Sequence, residues 1–266
     1  MAGNTSTAGA SVVSRTLAIL YSFDQEHPEL TLTELARRAG LPVPTAHRLT
    51  KALVAEGALV RGPSGAFQVG RRLWDVGLLA PVQTDLRQAA SPFLSDIHAA
   101  TRATVHLAIR DGTEALYLEH LSGRASVPVV SWVGSRLPLH ATGVGKVLLA
   151  HAPPEVHISV MAHLPRLTPH TITSPAQLRD QLARVRRDGY AVTSEEMTLG
   201  ACSIAVPVRS ATRRHPTVAA LGVVVPTLRR DKARLLSALQ VAAQGITRSL
   251  ASAPHRTRSA PEEHVE

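Results

Sequence analysis

"TLTELARRAGLPVPTAHRLTKALVAEG", residues 31–57, holds two helices and the turn between them. Thr31 and Glu34 have the spacing of a capping box, in which the first side chain caps the helix and the fourth caps it in return. Leu32, Leu35, Ala36 and Ala39 then fall on one apolar face, and Gly40 stops the helix. Leu41 and Pro42 turn the chain into a third helix that ends at Gly57. Ala46, Leu49 and Leu53 recur at i, i+3 and i+7 and must face the second helix. That leaves Thr45, Arg48 and Lys51, with His47 alongside, pointing outward near the helix start. Pro44 sits in the first turn, where its missing N–H is harmless.

The flanks complete a known order. Residues 11–24 place Val13, Leu17, Leu20 and Tyr21 at helical spacing, with Ser11 as N-cap and Pro28 as the stop. "ALVRGPSGAFQVG", residues 58–70, alternates about Gly62–Gly65 and predicts a two-stranded hairpin. Helix, helix, turn, helix, hairpin over residues 11–70 is a winged helix-turn-helix. Two cations on a lone helix are usually just solvated. Here cap, turn and hairpin agree in register, so they read as donors that enter a major groove about 12 Å wide. The candidate contacts to double-stranded DNA are Thr31, Pro44, Thr45, His47, Arg48, Lys51 and, in the hairpin, Arg61.

Bulk properties narrow the classes. A chain of 266 residues suffices for two domains. Aromatic residues make up 3%, too few for stacking along single-stranded nucleic acid. One cysteine, Cys202, forbids an internal disulfide and fits a reducing compartment. With no leader and no apolar run of about 18 residues, the chain is expected to be soluble and cytoplasmic, without membrane contact. The net charge of +9 is uneven: residues 1–80 carry 8 Lys or Arg against 6 Asp or Glu, and residues 81–252 carry 19 against 11. A DNA-reading first segment therefore works by a few well-placed cations, not by a broad field.

Residues 71–88 predict a linker helix broken at Gly77 and Pro81, with Leu73, Trp74, Leu78 and Leu79 too apolar for a free tether. Residues 89–252 predict an α+β domain with a mainly antiparallel sheet. Its expected elements are a hairpin about Asp111-Gly112, a strand in "SVPVVSWVG" (126–134), and helices at 143–151, 155–163 and 175–188. Strands in "CSIAVPVR" and "VAALGVVVPT" and a closing helix at 229–251 follow. Residues 1–10 and 253–266 are expected to be disordered.

"LPLHATGVGKVLLA", residues 137–150, imitates a phosphate-binding loop, but the two residues that loop requires are His140 and Val147 here, not Gly and Ser or Thr. Nucleotide hydrolysis is excluded on that ground. No His-x-x-x-His or Cys/His spacing calls for a metal, and no Gly-x-Ser-x-Gly elbow supplies a nucleophile. Glu195 and Glu196 are adjacent and should point apart, and a lone His140 is more often a structural hydrogen-bonder. The sequence calls for no enzyme, cofactor or metal.

With "RRDGYAVTSEEMTLGACSIAVPV" (186–208) added to the two stretches above, the chain resembles the IclR family of bacterial transcriptional regulators from about Ser11 to Ala251. The resemblance implies a GAF-like effector domain behind the helix-turn-helix. It also implies a homodimer or homotetramer on palindromic operators, and a small-molecule effector. It places the effector site at Leu137, Gly143, Val144, Thr193, Ala201, Ser203, Gly222 and Val224, with the Gly143 and Val144 amides receiving a carboxylate. Thr193 stands where the family's small-acid binders have an acidic residue, Ser203 where they have cysteine, and Gly222 and Val224 where they have serines. These departures imply a more apolar, roomier cavity, suited to a bulkier, partly apolar ligand or to none at all, in which case the domain only oligomerises.

Overall fold

The computed structural model describes residues 11–252, apart from residues 25, 78, 80–83, 123–126, 128–129 and 211–216. The two expected disordered ends, Leu78 and Pro81 thus lie outside the described residues. The chain divides into two compact units between Val82 and Gln83.

The first unit runs α1 (Val12–Leu20), β1 (Glu29–Leu30), α2 (Leu32–Arg38), α3 (Val43–Ala55), β2 (Leu59–Arg61), β3 (Phe67–Val69) and α4 (Arg71–Gly77). Ser11 caps α1 by accepting the Ser14 N–H. Gly40 and Gly57 end α2 and α3 with φ of +64° and +69°, a region that glycine enters without strain. Ile19, Leu30, Leu35, Leu49, Leu53 and Leu59 meet in one core. Two expectations need correction. α1 stops at Leu20, well before Pro28, and buries Ile19, while Val13 is 67% and Tyr21 77% exposed. Its sequence is apolar at most positions, so spacing alone selects no face and the neighbouring helices decide. The hairpin also gains a third strand: β1 pairs with β3, giving the order β1-β3-β2. Two residues carry no detectable period.

The second unit runs α5 (Thr84–Thr101), β4 (Thr104–Asp111), β5 (Glu114–Leu121), β6 (Arg136–Pro138), α6 (Gly143–Ala150), α7 (Pro154–Ala162), α8 (Pro175–Asp188), β7 (Ala191–Ser194), β8 (Cys202–Arg209), β9 (Thr217–Val225) and α9 (Lys232–Ser252). All neighbouring strands pair antiparallel, in the order β6-β5-β4-β9-β8-β7. Side chains alternate across this sheet. On β9, Ala219, Leu221 and Val223 join Leu94 of α5 and Leu239 of α9 in one core. Ala220 faces the other way, into a core with Val147 of α6 and Leu178 of α8.

The boundary expected at 88/89 falls inside α5, which is continuous from Thr84 to Thr101. Of the expected linker helix, residues 71–77 form α4 and residues 84–88 belong to α5. The strand expected at 126–134 is absent among its described residues, which turn at Val133 and Gly134. Gly134 takes φ +88°, and the Ser135 hydroxyl clasps the backbone N–H and carbonyl of Trp132 at 2.9 and 2.8 Å. The strand begins after this clasp, at Arg136.

Candidate functional site

The outward face of α3 follows from the core. Ala46, Leu49 and Leu53 are buried under α3, which turns Pro44, His47, Arg48 and Lys51 to the surface and leaves Thr45 half-buried. Arg61 is exposed in the wing, its Nε donating to the Gly65 carbonyl at 3.0 Å and its guanidinium lying 5.7 Å from the Phe67 ring centre. Thr31 is otherwise engaged. Its backbone N–H and its hydroxyl both donate to the Glu34 carboxylate at 2.8 Å, and the hydroxyl accepts the Glu34 N–H. Both of its donors serve the capping box, so Thr31 caps α2.

In the second unit, α6 lies with its N-terminus over β8 and β9. Gly143 and Gly222 permit that approach: a Cβ on Gly143 would stand 2.5 Å from Ser203 Oγ, and one on Gly222 would stand 3.0 Å from Val144 Cγ1. The first N–H groups of a helix have no acceptor within it. Thr142, the N-cap, takes the Gly145 N–H on its hydroxyl at 3.1 Å. The N–H groups of Gly143 and Val144 are left for a partner outside the helix.

Both residues border a cavity of about 50 Å³, and so do Leu137, Thr193, Ala201, Ser203, Gly222 and Val224. All eight positions named from the sequence come together there. The roominess expected of it does not. Thr193 and Ser203 face each other across β7 and β8 and close one end with a 2.5 Å hydroxyl–hydroxyl bond.

The sequence reading missed His106, Tyr117, Ser131 and Thr142, which also line the cavity. The signal was available in period two. Val105 and Leu107 face the α5–α9 core, so His106 must face the other side with Ala108. His106 is 3% exposed, and its Nε2 lies 2.8 Å from Ser131 Oγ. Burial, with His120 beside it, lowers its pKa to about 3 and keeps the imidazole neutral. Burial likewise raises the Tyr117 phenol, partly offset by a hydrogen bond with Thr142.

Lys146, the lysine of the imitation phosphate loop, points away from any phosphate. It is 0% exposed, and its Nζ donates to both Glu196 carboxylate oxygens and to Gln181 Oε1, each at 2.6 Å. Burial pulls the lysine's pKa down and the glutamate's up, and their attraction opposes both shifts. The pair fixes the turn after β7, whose Met197 and Thr198 wall the cavity. Glu195 points the other way and bonds the Gly200 N–H at 2.7 Å. His140 does not line the cavity: its Nε2 is 3.0 Å from the Pro165 carbonyl oxygen. Among the described residues no group of His, Cys, Asp and Glu is placed to hold a metal.

A winged helix-turn-helix joined to an α+β domain with a partly open cavity defines a DNA-binding regulator. The chain belongs to the IclR family of bacterial transcriptional regulators. The IclR helix-turn-helix domain matches residues 12–63, and the bacterial transcriptional regulator IclR C-terminal domain matches residues 80–248. The chain is similar to the HTH-type transcriptional regulator XynR of Escherichia coli (strain K12), at 35% identity over 90% of this chain and 96% of the relative. With KdgR of Dickeya chrysanthemi the identity is 31%, over 89% and 79%. The crystal structure of an IclR homolog complexed with 4-hydroxybenzoate, from Microbacterium hydrocarbonoxydans, superposes with a TM-score of 0.84 at 37% identity, covering 91% of this chain and 99% of that one. These relatives are named as regulators, and the chain is a DNA-binding transcriptional regulator, not an enzyme. No helix among the described residues is long and apolar enough to cross a membrane.

Proposed function

We propose that the protein binds an inverted-repeat operator in the cytoplasm as a homodimer or homotetramer, and that a small organic acid in the cavity changes its affinity for that operator. The carrying observation is the α6 N-terminus: Gly143 and Val144 border a partly open cavity, and their N–H groups have no acceptor within the helix. Such a terminus holds a carboxylate without a cationic side chain. Leu137, Val144 and Val224 favour an apolar body on the acid, and a 4-hydroxybenzoate complex in a relative is in keeping with that class. His47, Arg48 and Lys51 are the bets for groove contacts, with half-sites about 34–36 Å apart.

Ligand sites commonly measure about 300–1,000 Å³, and the cavity here holds about 50 Å³. Seating an acid thus requires the Val130–Ser131 and Met197–Ala201 walls to part. The small volume also favours a second reading, in which this domain only oligomerises. Genome-wide mapping of bound sites supplies the operator; organic acids are then titrated while operator affinity and thermal stability are followed. An acid that raises stability and shifts operator affinity supports the first reading. A panel that moves neither leaves the second.

A further inference from the structure

α9 and the end of β8 border an open cleft of about 510 Å³, a volume within the range of about 300–1,000 Å³ usual for ligand sites. It shares no lining residue with the cavity under α6. The two lie on opposite faces of the sheet. Ala205 of β8 joins the core under α6, whereas Val206, in the wall of the cleft, joins the core under α9.

Two arginines, Arg209 and Arg248, line this cleft, and Thr247 brings them together. Its hydroxyl accepts the Arg209 N–H at 3.3 Å and donates to the Ala243 carbonyl at 2.8 Å. The last residue of β8 is thereby tied to α9 one position before Arg248. The β8–β9 ladder also slips between Val208 and Arg209, and irregularities of this kind commonly re-aim a side chain. Among the described residues no acid lines the cleft. Asp188, beside Gly189 at its edge, is engaged by Arg187 at 2.8 Å. A third guanidinium stands near: Arg186 of α8 donates to the Ala150 carbonyl at 3.1 Å. After burial, the charges of Arg209 and Arg186 are what lower the pKa of His151.

Cations gathered without a carboxylate repel one another, and an anion relieves that repulsion. Guanidiniums with free donors match phosphate oxygens bidentately. The rest of the cleft describes what the phosphate is attached to. Gln240 and Gln244 lie four residues apart on α9, so their amides, each both donor and acceptor, fall on one face. Val206, Pro207 and Ala243 add an apolar surface. Amides for hydroxyls beside a surface for C–H groups suit a sugar. We propose that the cleft is a second ligand site, taking a sugar phosphate with Arg209 and Arg248 on the phosphate and the two glutamines on the sugar hydroxyls.

Calorimetric titration of the full chain with glucose 6-phosphate, inorganic phosphate and glucose, at constant ionic strength, tests this. The wild type is expected to bind glucose 6-phosphate at least tenfold more tightly than inorganic phosphate. Arg209 and Arg248 are exposed, so Arg209→Gln and Arg248→Gln should melt as the wild type does, and each is expected to weaken glucose 6-phosphate at least tenfold. Gln244→Ala is expected to weaken glucose 6-phosphate and leave inorganic phosphate unchanged. Glucose 6-phosphate that does not bind, or binds no more tightly than inorganic phosphate or glucose, overturns the assignment. So does binding undiminished in both arginine variants, which would put the ligand elsewhere on the chain.

Discussion

Lys146 shows how one residue can be conspicuous in sequence for one reason and be used for another. As the lysine after Gly-Val-Gly it suggests phosphate, yet it spends its charge on Glu196 inside the domain. Replacing one member of a buried pair strands the other, at a cost of about 3–5 kcal/mol. Lys146→Met should lose stability of that order in urea unfolding at pH 7.5, and Lys146→Met with Glu196→Leu should recover most of it. A single variant within about 1 kcal/mol of wild type would mean the pair is not needed. The eight cavity positions were legible only through the family resemblance, because their closeness depends on which strands pair. His106 stood one alternation step from detection: Thr104, Val105, His106 and Leu107 alternate, and period two turns His106 away from the core that Val105 and Leu107 join. The engagement of Thr31 was legible without help, since the capping box that occupies its donors is written in Thr-x-x-Glu.

At the scale of elements, α3 is the part that the sequence specifies most fully, since its stop glycine, first-turn proline and apolar spacing agree. The outward set it presents invites a direct test. Arg48→Ala should weaken operator binding by about 1–3 kcal/mol if the guanidinium reads a base, and by less, evenly on operator and random duplex, if it meets phosphate. Mobility-shift titration on both duplexes separates the two, and unchanged binding to both removes Arg48 from the interface. β1, β6 and β7 were not legible in place, for they are two to four residues long and lack the Gly-Pro-Ser-Gly turn that marks β2 and β3; each exists because a neighbouring strand offers an open edge. The strand expected at 126–134 had the right composition, and among its described residues a glycine turn and a serine clasp override it.

The whole molecule carries several imidazoles held neutral by burial. His106 is lowered to about 3, and His120, His140, His151 and His157 are lowered as well, with desolvation the largest cause in each. The unfolded chain takes up protons near pH 6.5, where the folded chain resists. The stability tied to these groups is therefore complete above about pH 6.5 and lost progressively on acidification toward pH 3. Unfolding free energy should fall between pH 7.5 and 5.5, and His106→Gln should make that fall shallower; a flat profile would contradict the neutral imidazoles. β9 has a consequence of another kind. Ala219, Leu221 and Val223 belong to the core under α5 and α9, while Gly222 and Val224 border the cavity, so a single strand is a wall shared by two rooms. Protein interiors compress little, and an occupant pressing on Gly222 or Val224 must be felt by Leu221 and Val223 on the far side. α5 rests there, and its first turn begins next to the point where the chain leaves the DNA-reading unit. Occupancy on one face should thus change deuterium uptake by Leu86–Leu94 on the other, and an unaltered exchange pattern along α5 would show that the shared wall does not transmit.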